Sequence, residues 1–224
     1  MGLEHALQHA EMELTGLGFF HQLDRSLQEE LYQIGHLGRY VQDEEILHAG
    51  SDQIGLHILL QGRVKVYRRN GEKCLCLSIL ESGDVFGELA MLTDKDTTAS
   101  IEAMCDCTVL TIDREAVFAF FYKHPGFVRQ FLEYLSLRLR NVIDDVCSIA
   151  MDDVYGRLKR ILIRLARAGG TGNTIPGITH LELAEMVGSS REMVSIIIKE
   201  LRQGGYIQTQ GRTISLLKEL PDKR

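Results

Sequence analysis

The sequence predicts an α+β fold in three successive parts: a double-stranded β-helix (jelly-roll) at the front, a long dimerisation helix, and a winged helix-turn-helix. Three observations predict it. Short β-rich runs separated by turn signals fill residues 36–114. Apolar residues step by alternating fours and threes from Val128 to Ile149. Two short helices, each opened by capping-box spacing, meet across a glycine within residues 178–197. The parts divide at 1–124, 125–151 and 152–224.

At the front, residues 3–34 read as amphipathic helix broken near Gly16-Leu17-Gly18, with Leu23, Leu27, Leu31 and Ile34 on one stripe. From Arg39 the period changes. Gly55 to Leu60 and Val64 to Tyr67 are β-rich, as are Leu75 to Leu80 and Cys107 to Ile112. Turn residues separate such runs: Ala49-Gly50-Ser51-Asp52, Gln61-Gly62, Asn70-Gly71 and Ser82-Gly83-Asp84. Asn-Gly is the strongest of these signals, because both residues tolerate the positive φ that a two-residue hairpin turn needs. Many short strands at this spacing make a double-sheet roll.

Pro125-Gly126 opens the long helix; a proline there has a preset φ and gives up an amide that would lack a partner anyway. Val128, Leu132, Leu135, Leu139, Val142, Val146 and Ile149 form an unbroken a/d seam, the pattern with which a helix pairs with its own copy. Phe127, Phe131, Ile143 and Cys147 make a second stripe. One stripe is expected against the roll and the other against a second subunit, in a parallel homodimer. Asp152-Asp153 caps the next helix and marks a hinge. Ala168-Gly169-Gly170-Thr171-Gly172-Asn173 is a connector; it lacks the Gly-Lys-Ser/Thr ending of a P-loop.

In the last part, Thr179 with Glu182 and Ser189 with Glu192 have capping-box spacing. Leu183, Ala184 and Val187 form one apolar face, Gly188 relaxes the turn, and Val194, Ile197 and Leu201 continue the core. The second helix opens with hydroxyls and a charged fork, Ser189-Ser190-Arg191-Glu192, suited to entering a major groove. Gly204-Gly205 closes it. Tyr206 to Thr209 and Thr213 to Leu216 then flank Gln210-Gly211-Arg212 as a hairpin wing with Arg212 at its tip.

The net charge of −6 argues against a DNA partner until it is divided. From residue 152 onward 12 Lys+Arg stand against 8 Asp+Glu, whereas residues 1–151 hold the other 13 and 23. The last part therefore carries about +4 and the front about −10. The basic part can approach phosphate while the acidic part is repelled. No apolar run nears the roughly 20 residues of a membrane span, and the start, Met1-Gly2-Leu3-Glu4-His5, lacks the order of a signal peptide. A cytoplasmic protein is expected, with no membrane association. Five cysteines argue against a disulfide framework. No nucleophile elbow, His-Glu-x-x-His or P-loop is present, so no enzyme is expected.

Roll, long helix and winged head in this order resemble the bacterial cyclic-AMP receptor protein and FNR superfamily of transcription regulators. The resemblance covers nearly the whole chain. It is carried by Gly62-x-Val64-x-Val66, by Ser82-Gly83-Asp84-x-Phe86-Gly87-Glu88-Leu89, and by Val187-Gly188-Ser189-Ser190-Arg191-Glu192. It implies a cyclic-nucleotide-binding-like roll, a homodimer whose DNA affinity follows a signal sensed in that roll, and RNA polymerase as a partner. It also places Arg191 and Glu192 where base edges are read. Their chemistry agrees, since an arginine fork reaches guanine O6 and N7 and a carboxylate accepts from cytosine N4. Ser195, one turn on, can add a contact. Ile196 stands where many relatives carry a second arginine, and an apolar side chain there can touch a thymine methyl or simply pack. His180, Ser190 and Arg212 are the phosphate candidates. Two such heads imply double-stranded DNA with an inverted-repeat operator.

For the sensor, the resemblance places an effector pocket among Leu77, Ser78, Gly87, Glu88, Leu89, Thr97, Thr98, Val142 and Ile143. Relatives that bind cyclic nucleotides neutralise the phosphate with an Arg-Ser pair, yet here Thr97-Thr98 occupies that place, with Lys95 nearby. Val142 and Ile143 replace the hydroxyls that meet adenine in the cyclic-AMP receptor. Cyclic AMP in its usual mode is therefore not expected. No cysteine precedes Cys74, so the N-terminal cluster of FNR-type members is missing. Cys74-x-Cys76 and Cys105-x-Cys107 each place two thiols on one strand face. Were those strands neighbours, four sulfurs could bind metal or respond to oxidation; the alternative is small residues filling a core. His5 and His9, four apart, could ligate haem iron or zinc, or be a chance pair. The effector stays open between haem, a nucleotide-type ligand and none. A rival reading is a cyclic-nucleotide-responsive module acting on a partner enzyme, which would not need the basic winged head.

Overall fold

The computed structural model describes residues 18–71, 73–168 and 173–222. His5, His9, the break at Gly16-Leu17 and the 169–172 connector lie outside them. The chain divides into two compact units: one runs to Lys73 and takes in Leu77–Leu135, the other is Cys74–Cys76 with Ser136–Arg224.

Eight strands build the roll: β1 (His36–Tyr40), β2 (Glu45–Leu47), β3 (Gly55–Gln61), β4 (Arg63–Asn70), β5 (Lys73–Glu81), β6 (Val85–Phe86), β7 (Ser100–Ala103) and β8 (Cys107–Asp113). They form two four-stranded sheets, ordered β1-β8-β3-β6 and β2-β7-β4-β5. The Asn70-Gly71 turn follows β4, with Gly71 at φ 58°. Alternate residues of β3 point opposite ways. Leu56, Ile58 and Leu60 join Phe19, Phe20, Leu31, Phe120, Phe127 and Phe131 in one core. Leu59 joins Val64, Leu80, Phe86, Ile101 and Val109, drawn from both sheets, in the other. A strand buried on both faces reads as a continuous apolar run, as Gly55–Leu60 does.

The first core is covered by a 3₁₀ turn (Phe19–Gln22), α1 (Arg25–Ile34), α2 (Glu88–Thr93), α3 (Arg114–Lys123) and the start of α4 (Pro125–Met151). The α1 stripe is shorter than expected: Leu23 and Leu31 are buried and Leu27 packs beside them, but Ile34 is exposed. On α4, Phe127 and Phe131 enter the roll core, with Phe19 packed edge-on against Phe127 at 5.5 Å. The second stripe ends there. Ile143 and Cys147 are exposed, and Tyr134 and Leu135 continue the roll contact instead. The seam divides in the same way. Leu135 leans on the roll, whereas Leu132, Leu139, Val142, Val146 and Ile149 are each more than half exposed.

Asp153 caps α5 (Val154–Ala168), its Oδ1 accepting from the Gly156 amide at 2.8 Å. Asp152 instead accepts from the Ser148 hydroxyl at 2.6 Å and from Arg160 at 3.2 Å. Arg164 donates to both carboxylate oxygens of Asp145, at 2.9 and 2.8 Å. These contacts tie α5 to the last turns of α4. The head follows as β9 (Thr174–Ile175), α6 (His180–Val187), α7 (Arg191–Gln203), β10 (Ile207–Gln210) and β11 (Thr213–Leu216), with the strands ordered β10-β11-β9.

Candidate nucleic-acid interface

The α6 start is the capping box that the Thr179–Glu182 spacing implies. Thr179 Oγ1 accepts from the Glu182 amide at 3.2 Å, and Glu182 Oε2 accepts from the Thr179 amide at 2.6 Å. Gly188, at φ 66°, ends the helix in a left-handed conformation that a β-carbon would strain. The second expected box does not form, because the cap is shifted by one residue. Ser190, not Ser189, caps α7, accepting from the Met193 amide at 3.2 Å. Glu192 then falls too early to answer as the box carboxylate. Two adjacent serines made the register ambiguous, and the turn after Gly188 decides it.

With Ser190 as cap, one side of α7 is closed and the other open. Val194, Ile197, Ile198 and Leu201 are buried, as are Leu183, Ala184 and Val187 on α6. Arg191, Glu192 and Ile196 are exposed on the opposite face, and Ser195 is half-buried at its edge. Lys199 and Arg202 share that open face and were passed over in the sequence, although stepping by four from Arg191 and Ser195 reaches Lys199. Glu192 keeps its charge readily: its own backbone amide, the Ser190 hydroxyl and Arg191 hold its carboxyl below the usual range. His180, the first residue of α6, places Nδ1 2.9 Å from Ser195 Oγ. Burial and then the Arg191 charge lower its pKa, favouring the neutral ring. Arg212 is exposed at the wing turn, while its carbonyl accepts from the Ile178 amide at 2.9 Å. Arg157 on α5 donates to the Val187 carbonyl at 2.9 Å, fastening the end of α6.

The roll residues are arranged less simply. Gly87, at φ 80°, lies so close to β3 that a β-carbon would meet the His57 ring at 2.6 Å and the Gly55 carbonyl at 2.7 Å. Glu88 follows, buried at the start of α2, and Leu89 is exposed. His57 stacks on Phe86 at 5.0 Å, and its Nδ1 is 3.0 Å from Thr111 Oγ1. Leu77 is exposed on β5, and Ser78 bonds back to the Ile79 carbonyl. The buried Thr97 hydroxyl donates to the His48 carbonyl and accepts from the Ser51 amide at 3.0 Å, so it fastens a loop. Thr98 and Lys95 are exposed. Val142 and Ile143 belong to the other unit and are exposed there.

The four-sulfur arrangement is overturned. β5 carries Cys74 and Cys76, β8 begins at Cys107, and these strands lie in different sheets; Cys105 precedes β8 in a bend. Among the described residues no group of three or more His, Cys, Asp and Glu is placed to hold a metal ion. The single Cys107 S–H is shared between the Arg63 and Cys105 carbonyls, 3.3 and 3.1 Å from its sulfur, and burial pushes its thiol up to about 11. It is a core residue. No helix among the described residues is long and apolar enough to cross a membrane.

Comparison with known proteins adds to this geometry. Residues 37–124 match the cyclic nucleotide-binding domain, and residues 156–220 match the Crp-like helix-turn-helix domain. The chain is 30% identical over 166 residues to the CRP-like cAMP-activated global transcriptional regulator of Mycobacterium tuberculosis, covering 71% of this chain and 74% of that protein. It is 30% identical over 185 residues to the cAMP-activated global transcriptional regulator CRP of Haemophilus influenzae, covering 80% and 83%. The c-di-GMP responsive global regulator CLP of Xanthomonas campestris shares the fold, with a TM-score of 0.75 at 23% identity over 87% of this chain and 100% of that one. These relatives are transcriptional regulators and not enzymes.

Proposed function

The chain belongs to the CRP family of transcriptional regulators, and on that premise we propose that it acts as a homodimer reading an inverted-repeat operator under control of a signal in the roll. The observation that carries this reading is the two-sided α7. Its apolar side is wholly buried while Arg191, Glu192, Ile196 and Lys199 stand open on the other. Arg191 reads a guanine and Glu192 a cytosine; Ser195 and Ile196 meet the next bases, and Ser190, His180 and Arg212 face the backbone. The open stripe of α4 supports pairing of two copies, whose reading helices then meet the duplex about 34 Å apart. The protein works where the chromosome is, in the cytoplasm, with RNA polymerase as its partner. A module acting on another enzyme has no use for this head.

The signal is not cyclic AMP bound in its usual way. A phosphate held in the roll without a cation loses a charge-assisted contact of the stronger kind. Of the two residues in the Arg-Ser position, Thr97 has its hydroxyl committed to the 48–51 loop and Thr98 carries no charge.

The test is Arg191→Ala on operator and on random duplex. Specific affinity should fall about 5- to 150-fold per half-site, centred on one guanine, with little change in non-specific affinity. An equal loss on both duplexes would make Arg191 a phosphate contact.

A further inference from the structure

We propose that His180 is a positioning residue that fixes Ser195 as a hydrogen-bond acceptor, so that the pair selects an exocyclic amino group, adenine N6 or cytosine N4, in each half-site. The inference rests on the DNA-reading role of α7 proposed above. Its observation is the 2.9 Å contact between His180 Nδ1, on the first residue of α6, and Ser195 Oγ on the reading helix.

The hydrogen-bonding inventory gives the contact a direction. A neutral imidazole has one N–H and one bare nitrogen, and a serine hydroxyl has one hydrogen and two lone pairs. Phosphate oxygens only accept. A neutral His180 beside the backbone therefore carries its hydrogen on Nε2, and Nδ1 is left as the acceptor. Nδ1 takes the Ser195 hydrogen, and the Ser195 lone pairs remain for the base. A polarised row results, from base amino group to Ser195 to His180 to phosphate. Burial of His180 and the neighbouring Arg191 charge both favour the neutral ring that this row needs. A base acceptor such as guanine O6 or thymine O4 would find no hydrogen on Ser195. The phosphate contact and the base contact thus share one chain of bonds.

The experiment measures affinity for an operator selected from random duplexes. At each half-site position, purine replaces adenine or 2-pyrimidinone replaces cytosine, which deletes only the amino group. Apart from the cytosine assigned to Glu192, the natural protein should lose about fivefold at one further position per half-site, the worth of one net hydrogen bond. Ser195→Ala and His180→Ala should each abolish that penalty. His180→Asn, whose amide oxygen sits where Nδ1 does, should keep it. If His180→Ala does not fold, His180→Phe keeps the ring without its nitrogens and should also abolish it. Survival of that further penalty after loss of the imidazole nitrogens, or its absence from the natural protein, would reduce the pair to a tether between α6 and α7. Absence of the Arg191-dependent guanine preference would instead sink the DNA-reading role itself.

Discussion

Replacing Leu139 and Val146 with glutamate should separate the protomers. Five seam side chains, Leu132, Leu139, Val142, Val146 and Ile149, are each more than half exposed in the single chain. Burying a whole side chain of this size contributes about 1.5–3 kcal/mol, so each exposed half is worth about 1 kcal/mol. Ten such halves across two protomers give about 10 kcal/mol. Association itself costs about 4–15 kcal/mol, so the seam has little surplus. Two glutamates per protomer remove about 4 kcal/mol and add the cost of burying charge, which weakens the dimer about a thousandfold or more. Leu135 is left alone because it leans on the roll's aromatic core, and its loss would confound folding with assembly. Sedimentation velocity across a concentration series reads the outcome, alongside operator affinity. Intact dimers carrying both glutamates at the dilutions where the natural protein stays paired would refute the seam.

Three further outcomes follow from particular groups. Burial lowers the His57 pKa from 6.5 to about 4, so the unfolded chain binds the proton first. The associated stability, about 3 kcal/mol, is whole above about pH 6.5 and is lost as pH falls toward 4. Urea unfolding at pH 7 and 4.5 should show this difference, and His57→Phe should shrink it; an unchanged difference would contradict the assignment. Arg212→Ala should weaken binding evenly across sequences and flatten the salt dependence by about 0.9 in log–log slope per lost phosphate contact; a sequence-selective effect would place Arg212 on a base. Brief alkylation at pH 8 should label exposed Cys147 and spare Cys107, whose buried thiol stays protonated. Rapid labelling of Cys107 would reopen a redox role.

The features legible in the sequence are those whose physics is local or periodic. The Asn70-Gly71 turn, the Thr179 box and the Pro125 helix start are set by neighbouring residues. The doubly buried β3 announces itself by composition. Other features depend on distant partners. β9 is two residues held by pairing with β11, through Ile175 opposite Ile214. α3 carries aromatic residues on more than one face, with Val117 and Phe120 buried and Phe118 and Phe121 half-buried, which blurs its period. α2 is six residues long, too short for a stripe. The cysteine pairs looked alike in sequence, and only strand order separates them into two sheets. In the helix-turn-helix, the exposed start of α7 with Arg191 and Glu192 is set by its own capping and turn residues, whereas the His180–Ser195 bond needs two helices to be placed before it exists.

The most direct measurement is stoichiometry and protection on an operator selected from random duplexes, with and without one half-site scrambled. Two protomers per duplex, shielding two like sequences of opposite orientation about one helical turn apart, is the predicted result, with tight binding lost once either half is scrambled. A single protomer per duplex, or an affinity indifferent to the second half, would contradict it.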